Sequence, residues 1–233
     1  MTQRIIEITS PAFVNKEQLH GLKDLSSLFP QEQPLALEIG CGTGHFVTEM
    51  AARHPGTNFL AIDIYNKGCL KTCKKIELLA LTNIRVLRIE ACYLIANYVE
   101  RESLSAIYIN CPDPWPKKRH RNRRLVNLSF VQSILHYLKP KGDFYFSTDV
   151  PDYAEQVAEL IPIADGYRNA LSTPFVTHIP DYPISKYMRR FLDLGQPIHF
   201  IQLQRCQGLD LNSLPEPELT SGFRSNFGDR HHA

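Results

Sequence analysis

Apolar positions gather in short blocks along the middle of the chain. LALEI (35–39), NFLAIDI (58–64), IRVLRI (84–89), SAIYIN (105–110) and GDFYFST (142–148) are each brief and rich in Ile, Leu and Phe. Runs of that length and composition predict buried strands. Helical spacing fills the intervals. It covers 45–54, stopped by Pro55-Gly56, and about 67–80, with Leu70, Ile76, Leu78 and Leu79. It returns over 92–100, over 125–138 before Pro140 and Gly142, and over 152–160. PIHFIQLQ (197–204) alternates as a final strand does. Strand ends fall near 38, 63, 89 and 109, a rhythm of βαβ units. The predicted fold is α/β: a mostly parallel twisted sheet with helices on both faces. Ligands of such sheets sit at the C-terminal strand ends, beside the topological switch point.

The flanks differ. Residues 1–34 mix polar and apolar positions and carry Pro11, Pro30 and Pro34, an N-terminal extension. The regular region, 35–206, forms the expected domain, and 207–233 is polar and rich in Pro and Gly, a flexible tail. No run reaches the ~18–20 apolar residues of a membrane helix. The N-terminus meets Glu7 too early for a signal-peptide core. Six cysteines, at 41, 69, 73, 92, 111 and 206, form no CxxC pair and read as reduced thiols of a cytoplasmic protein. Cys69 and Cys73 stand one helical turn apart, but no second Cys/His pair has ligand spacing, so no metal is expected.

Composition narrows the class. With 43% hydrophobic and 21% charged residues in 233 positions, the chain is globular and long enough for a sizeable core. Net charge is only +2, but KKRHRNRR (117–124) holds six Lys/Arg and no acid, leaving −4 for the remainder. One dense basic run on a mildly acidic protein points to a local anionic partner.

The strand ends carry the candidate chemistry. Strand 35–39 runs into Glu38-Ile39-Gly40-Cys41-Gly42-Thr43-Gly44. Gly40, Gly42 and Gly44 suit a tight turn and close backbone approach to a ligand. His45 stands where a dinucleotide fingerprint wants a small residue, which argues against a nicotinamide enzyme. Glu38 suits a ligand with ammonium and sulfonium charge better than a pyrophosphate. Asp63 closes the second strand, placed to accept from both hydroxyls of a ribose. Glu90 follows the third, where an adenine would lie, and Asn110 ends the fourth, beside the reacting end. Four polar residues at four successive strand ends say more than the glycines alone.

The segment after Asn110 is the most unusual: Cys111-Pro112-Asp113-Pro114-Trp115-Pro116-Lys117-Lys118-Arg119-His120. Three prolines in five residues stiffen it, and it holds the single Trp of the chain. A carboxylate and an aromatic ring beside cations can hold a base together with its phosphate.

On EIGCGTG (38–44), Asp63 and above all NCPDPWPKKRHRNRRL (110–125), the chain resembles the tRNA (guanine-N7-)-methyltransferases. FSTD (146–149) and S-K-Y-M…F (185–191) also line up with family blocks, and the likeness spans about 35–205. The resemblance implies a Rossmann-like S-adenosylmethionine-dependent methyltransferase fold. It implies transfer of the methyl group to N7 of a guanine in the variable loop of tRNA, by in-line displacement. Glu38, Gly40, Gly42, Asp63, Glu90, Asn110 and Asp113 would hold the cofactor. Asp113 would also orient the guanine through its N1/N2 edge and face the charge that develops on the ring. Lys117, Asp149 and Ser185 match acceptor-binding positions, and Lys118, Arg119 and the cations up to Arg124 would meet phosphates. The chain departs from the family's late T-x-x-E motif: Ser185 keeps the hydroxyl, but Met188 replaces the carboxylate, leaving Asp181 and Asp193 as nearby acids. The competing readings are an RNA-binding protein on the same fold without turnover, and an enzyme acting on another acceptor.

Overall fold

Residues Leu35–Ile39 are buried at every position, which demands strand neighbours on both edges and cover on both faces. The computed structural model describes residues 5–219 and supplies both. In chain order its elements are β1 (Phe13–Val14), α1 (Lys16–His20), β2 (Leu35–Ile39), α2 (His45–Arg53), β3 (Asn58–Asp63), α3 (Asn66–Leu78), β4 (Ile84–Arg88) and α4 (Ala91–Tyr98). There follow β5 (Leu104–Asn110), α5 (Leu128–Leu135), β6 (Leu138–Thr148), α6 (Pro151–Ala158), β7 (Tyr167–Asn169), α7 (Lys186–Asp193) and β8 (His199–Arg205). They build one eight-stranded sheet in the order β1-β4-β3-β2-β5-β6-β8-β7. From β1 to β6 all pairings are parallel; β8 runs antiparallel to both β6 and β7. The Rossmann-like methyltransferase fold expected above is the fold observed.

Alternation along the strands sorts two cores. Leu35, Leu37, Leu60 and Ile62 face one layer, with Leu94 and Ile95 of α4, Phe130 and Ile134 of α5, and Tyr153 of α6. Ala36, Phe59 and Ala61 face the other, against Phe46 and Val47 of α2 and Cys69, Cys73 and Ile76 of α3. The cysteine pair 69/73 is therefore core packing, and burial pushes the Cys73 thiol up to about 11. Among the described residues no group of three or more His, Cys, Asp or Glu could hold a metal, and no helix is long and apolar enough to cross a membrane.

Several boundaries differ from the sequence expectation. The helix expected over 125–138 begins only at Leu128, because the Asn127 side chain accepts from the Phe130 N–H at 3.0 Å and caps it. Pro140 and Gly142 do not end a helix. They lie within β6, where the register jumps from Leu104↔Leu138 to Ala106↔Asp143 and the intervening residues bulge. Within the N-terminal extension, β1 adds a parallel edge strand, tied by the Val86 N–H to the Ala12 carbonyl at 2.8 Å. Of the polar tail, residues 207–219 are described, and Pro215 and Glu218 meet α5 and its C-terminal end, so this part is held rather than loose. The Glu218 N–H donates to Ser133 Oγ at 2.9 Å, and a ring nitrogen of His136 meets the Pro215 carbonyl at 2.9 Å. The rest of the tail lies outside the described residues.

One contact sets the height of α3 above the sheet. A Cβ on Gly68 would lie 2.3 Å from the Gly42 carbonyl oxygen, so the helix rests directly on the turn after β2. The substitution Gly68→Ala should force the two apart and cost about 1–3 kcal/mol, read as a lower midpoint in urea. An unchanged midpoint would show that α3 does not bear on that turn.

Candidate active site

The chain runs β2, β3, β4 outward, then returns to start β5 on the other side of β2. The switch point therefore lies between the C-terminal ends of β2 and β5, where Glu38 and Asn110 stand. After β2 the backbone turns through Gly40 at φ +81° and Gly42 at φ +56°, which L side chains rarely adopt, and no atom lies within 4 Å of a Cβ built on either. The loop is thus open on that side. It is braced from β3: the Gly42 N–H donates to Asp63 Oδ2 at 2.7 Å, and the Tyr65 N–H to Asp63 Oδ1 at 2.8 Å. Burial raises the Asp63 carboxyl against those two bonds, and the charge of Asp113 adds to the rise.

Glu38 is 2% exposed. Its Oε1 accepts from Asn110 Nδ2 at 3.3 Å, while its buried Oε2 has no hydrogen-bond partner. Burial pushes the carboxyl up to about 8; the Asn110 bond opposes that shift, and the Asp63 charge reinforces it. Asn110 Oδ1 in turn accepts from Ser147 Oγ at 3.0 Å and from the Tyr182 hydroxyl at 2.8 Å. Glu90 is the N-cap of α4. Its two oxygens accept from the Cys92 and Tyr93 N–H groups at 3.1 and 2.8 Å, so it orders the loop after β4 as well as facing that strand end.

The proline loop after β5 carries an exposed Asp113 and exposed Lys117, Lys118 and Arg119. Its stiffness has a second source besides proline. Arg124 is fully buried and donates from Nε to the Pro114 carbonyl at 2.8 Å, while its other nitrogens reach Gln156 Oε1 at 2.6 Å and Asp152 Oδ2 at 2.7 Å. Its guanidinium lies over the Tyr153 ring at 4.6 Å. Arg121 pairs with the same Asp152. The expectation that the cations up to Arg124 meet phosphates is therefore corrected for these two, which hold the loop onto α6. Arg123 lies over the Trp115 ring at 5.0 Å, and His120 meets that ring edge-on.

Asp149, half-buried after β6, has its carboxyl raised by burial, with His199 opposing. His199 pairs with Thr148 in the β6–β8 register, and both its ring nitrogens are buried without a partner. Ser185 caps α7: its Oγ accepts from the Met188 N–H at 3.2 Å, and Met188 Sδ accepts from the Ser185 N–H at 3.4 Å. The side chain of Met188 is 0% exposed among Ile198 and Phe200. At this position a thioether completes the capping box that a carboxylate would otherwise complete, and it faces the core.

Residues 32–201 match a family model described as "Putative methyltransferase". The tRNA (guanine-N(7)-)-methyltransferase of Syntrophotalea carbinolica is 53% identical over 97% of both chains. That of Geobacter metallireducens is 50% identical over 87% of this chain and 97% of its own. The chain belongs to the tRNA (guanine-N7-)-methyltransferase family. Its fold also matches a crystal structure of the 16S rRNA methyltransferase KamB, with a TM-score of 0.58 at 15% identity over 87% of this chain and 96% of the other. For a member of this family, the strand-end residues read from sequence do converge: Glu38 and Asn110 touch, and Asp63 braces Gly42. Tyr182 was missed. It lies in an irregular segment with no periodicity, and only the fold brings it over Asn110.

The raised Glu38 carboxyl makes stability depend on pH. Unfolded, the group ionises near its ordinary 4.5; folded, it holds its proton to about 8. Between those values only the folded chain keeps the proton, so stability falls as pH rises through that window. The variant Glu38→Gln should therefore gain on the parent by a few kcal/mol more at pH 9 than at pH 5 in chemical denaturation. An equal difference at both pH values would rule out a buried, bare carboxylate.

Proposed function

We propose that the protein transfers the methyl group of S-adenosylmethionine to N7 of a guanine in the variable loop of tRNA, by in-line displacement. The observation that carries this reading is the bare Oε2 of buried Glu38, at the switch point between an open glycine turn and Asn110. A buried carboxylate oxygen without a donor is costly, and an ammonium group supplies the missing donor and charge. The residues present thus fit an amino-acid-bearing nucleoside. Glu38 and Asn110 would take the ammonium end, the Gly40–Gly42 backbone would lie along the chain, and Asp63 and Glu90 would meet ribose and adenine. When bound, S-adenosylmethionine supplies an electrophilic methyl on a sulfonium.

The acceptor chemistry asks little of the protein beyond position. Guanine N7 has a free lone pair and no proton, so no general base is required. Asp113, exposed on a loop stiffened by three prolines and by Arg124, would accept from the N1–H and N2–H of the base and stabilise the positive charge that forms on the ring. Lys117, Lys118 and Arg119, exposed next to it, would meet phosphates, and Asp149 and Ser185 would bound the acceptor side. The relatives' names support tRNA as that acceptor. Six free cysteines fit the reducing cytoplasm.

Labelled S-adenosylmethionine and unmodified tRNA should yield 7-methylguanosine on nucleoside analysis. Asp113→Ala should lower the rate by about a hundredfold or more while much of the cofactor binding remains. Undiminished turnover would overturn the role of Asp113. Cofactor and RNA binding with no product in the parent protein would favour the reading without turnover.

A further inference from the structure

The fold withdraws Arg121 and Arg124 from the basic run, yet it assembles a second cationic surface that the sequence does not display. Helix α3 exposes Lys67, Lys71 and Lys74, with Lys75 partly buried beside them. Helix α7, more than a hundred residues later, exposes Lys186, Arg189 and Arg190. Both helices converge on α2. Tyr182, just ahead of α7, packs on Phe46 at 5.0 Å, and the charges of Lys75 and Lys186 join burial in lowering the neighbouring His45. Lys186 likewise adds to the burial that lowers Lys75. Among the described residues the ion pairs engage Arg53, Arg101, Arg121, Arg124 and Arg205, and none of these seven cations. The acids on the two helices are Glu77 and Asp193, so the pair carries +5 in a chain whose total is +2.

Like charges held together without counter-charge destabilise the free protein, and a polyanion offsets that cost. Two tyrosines interleave with the cations: Tyr65 at the N-cap of α3 is 45% exposed, and Tyr187 on α7 is 55% exposed. Exposed aromatic rings among cations suit nucleobases as well as phosphates. In the sheet, α3 follows β3 and the proline loop follows β5, with β2 and its glycine turn between them. We infer that the α3–α7 surface is a second RNA-backbone-binding face, so that the acceptor is gripped on both sides of the methyl-transfer site.

This rests on the RNA-acceptor reading, and the test separates the two. The triple variant Lys71→Glu/Lys74→Glu/Arg190→Glu should weaken tRNA binding at least about tenfold and reduce the slope of log affinity against log salt by about 2–3. Its affinity for S-adenosylhomocysteine should stay that of the parent. A parallel variant, Lys117→Glu/Lys118→Glu/Arg119→Glu, serves as the reference. If only the loop variant loses affinity and slope, the second face is overturned. If neither does, the RNA reading itself fails.

A separate observation concerns Tyr182. With hydroxyls from Ser147 and Tyr182 both donating to Asn110 Oδ1, the amide presents its NH2 to Glu38. The Tyr182 ring is held independently, by Phe46 at 5.0 Å and Phe200 at 5.2 Å. We propose that Tyr182 is a positioning residue that acts through Asn110 on Glu38, keeping Oε2 free for the ammonium end of the cofactor. Tyr182→Phe keeps the packing and removes only the donor. It should raise the S-adenosylhomocysteine Kd about five- to tenfold in calorimetry and raise KM for the methyl donor in step. Saturated kcat and the tRNA KM should stay within about twofold. In a Glu38→Gln background the same change should have no further effect on the Kd. An unchanged Kd in the single variant, or an equal loss in both backgrounds, would overturn the coupling. If Glu38→Gln alone leaves the Kd untouched, the cofactor reading is what fails.

Discussion

The carboxyl group of Glu38 is buried, and only one of its oxygens has a donor. Burying charge or bare acceptors is among the costliest things a fold can do, and the protein holds Glu38 in that state by geometry. Two parallel strands from opposite sides of the topological reversal bring Glu38 and Asn110 together. The rest of the site is arranged around that contact. The glycine turn opens above it, Asp63 braces the turn from the next strand, and Ser147 and Tyr182 fix the amide from the far side. The cost is local and the support comes from four strands and the segment ahead of α7.

The basic run after the proline loop serves two tasks through one composition. Lys117 to Arg119 face solvent, whereas Arg121 and Arg124 turn inward to Asp152, and Arg124 grips the Pro114 carbonyl. A guanidinium can serve three acceptors and an aromatic face at once, a role a lysine could not take over at 124. Three prolines restrict the loop before it folds, and the arginine fixes what freedom remains. Asp113 is thus carried by a rigid segment although it sits outside any helix or strand.

The central strands were legible because each is buried on both faces and reads as an uninterrupted apolar run: LALEI became β2, and SAIYIN became β5 one residue longer. The convergence of Glu38, Asp63 and Asn110 was legible for the same reason, since a parallel sheet brings the ends of its strands to one edge whatever the side chains. Reading failed where tertiary structure decides. Pro140 and Gly142 look like a helix terminator and instead occupy a bulge in β6. The helix cap that Ser185 forms with Met188, whose side chain turns into the core, also shows only in space. Tyr182 sits in a segment without periodicity, and Arg124 hides among residues of its own charge. The α3–α7 cations lie too far apart in sequence for any window to join them.

The contacts that complete the site are distant along the chain. Glu38 and Asn110 are 72 residues apart, and Asn110 and Tyr182 another 72. A chain emerging from the ribosome can pair β2 with β3 early, yet it cannot close Asn110 until the segment beyond β7 has been made. Long-range contacts of this kind form late and pass through partly folded states. Nascent chains shorter than about 180 residues would therefore hold the parallel strands β1 to β6 without β8 or the Tyr182–Asn110 contact. The arrangement around Asn110 would be complete only near the end of synthesis, when the last strand, β8, comes to rest antiparallel against β6.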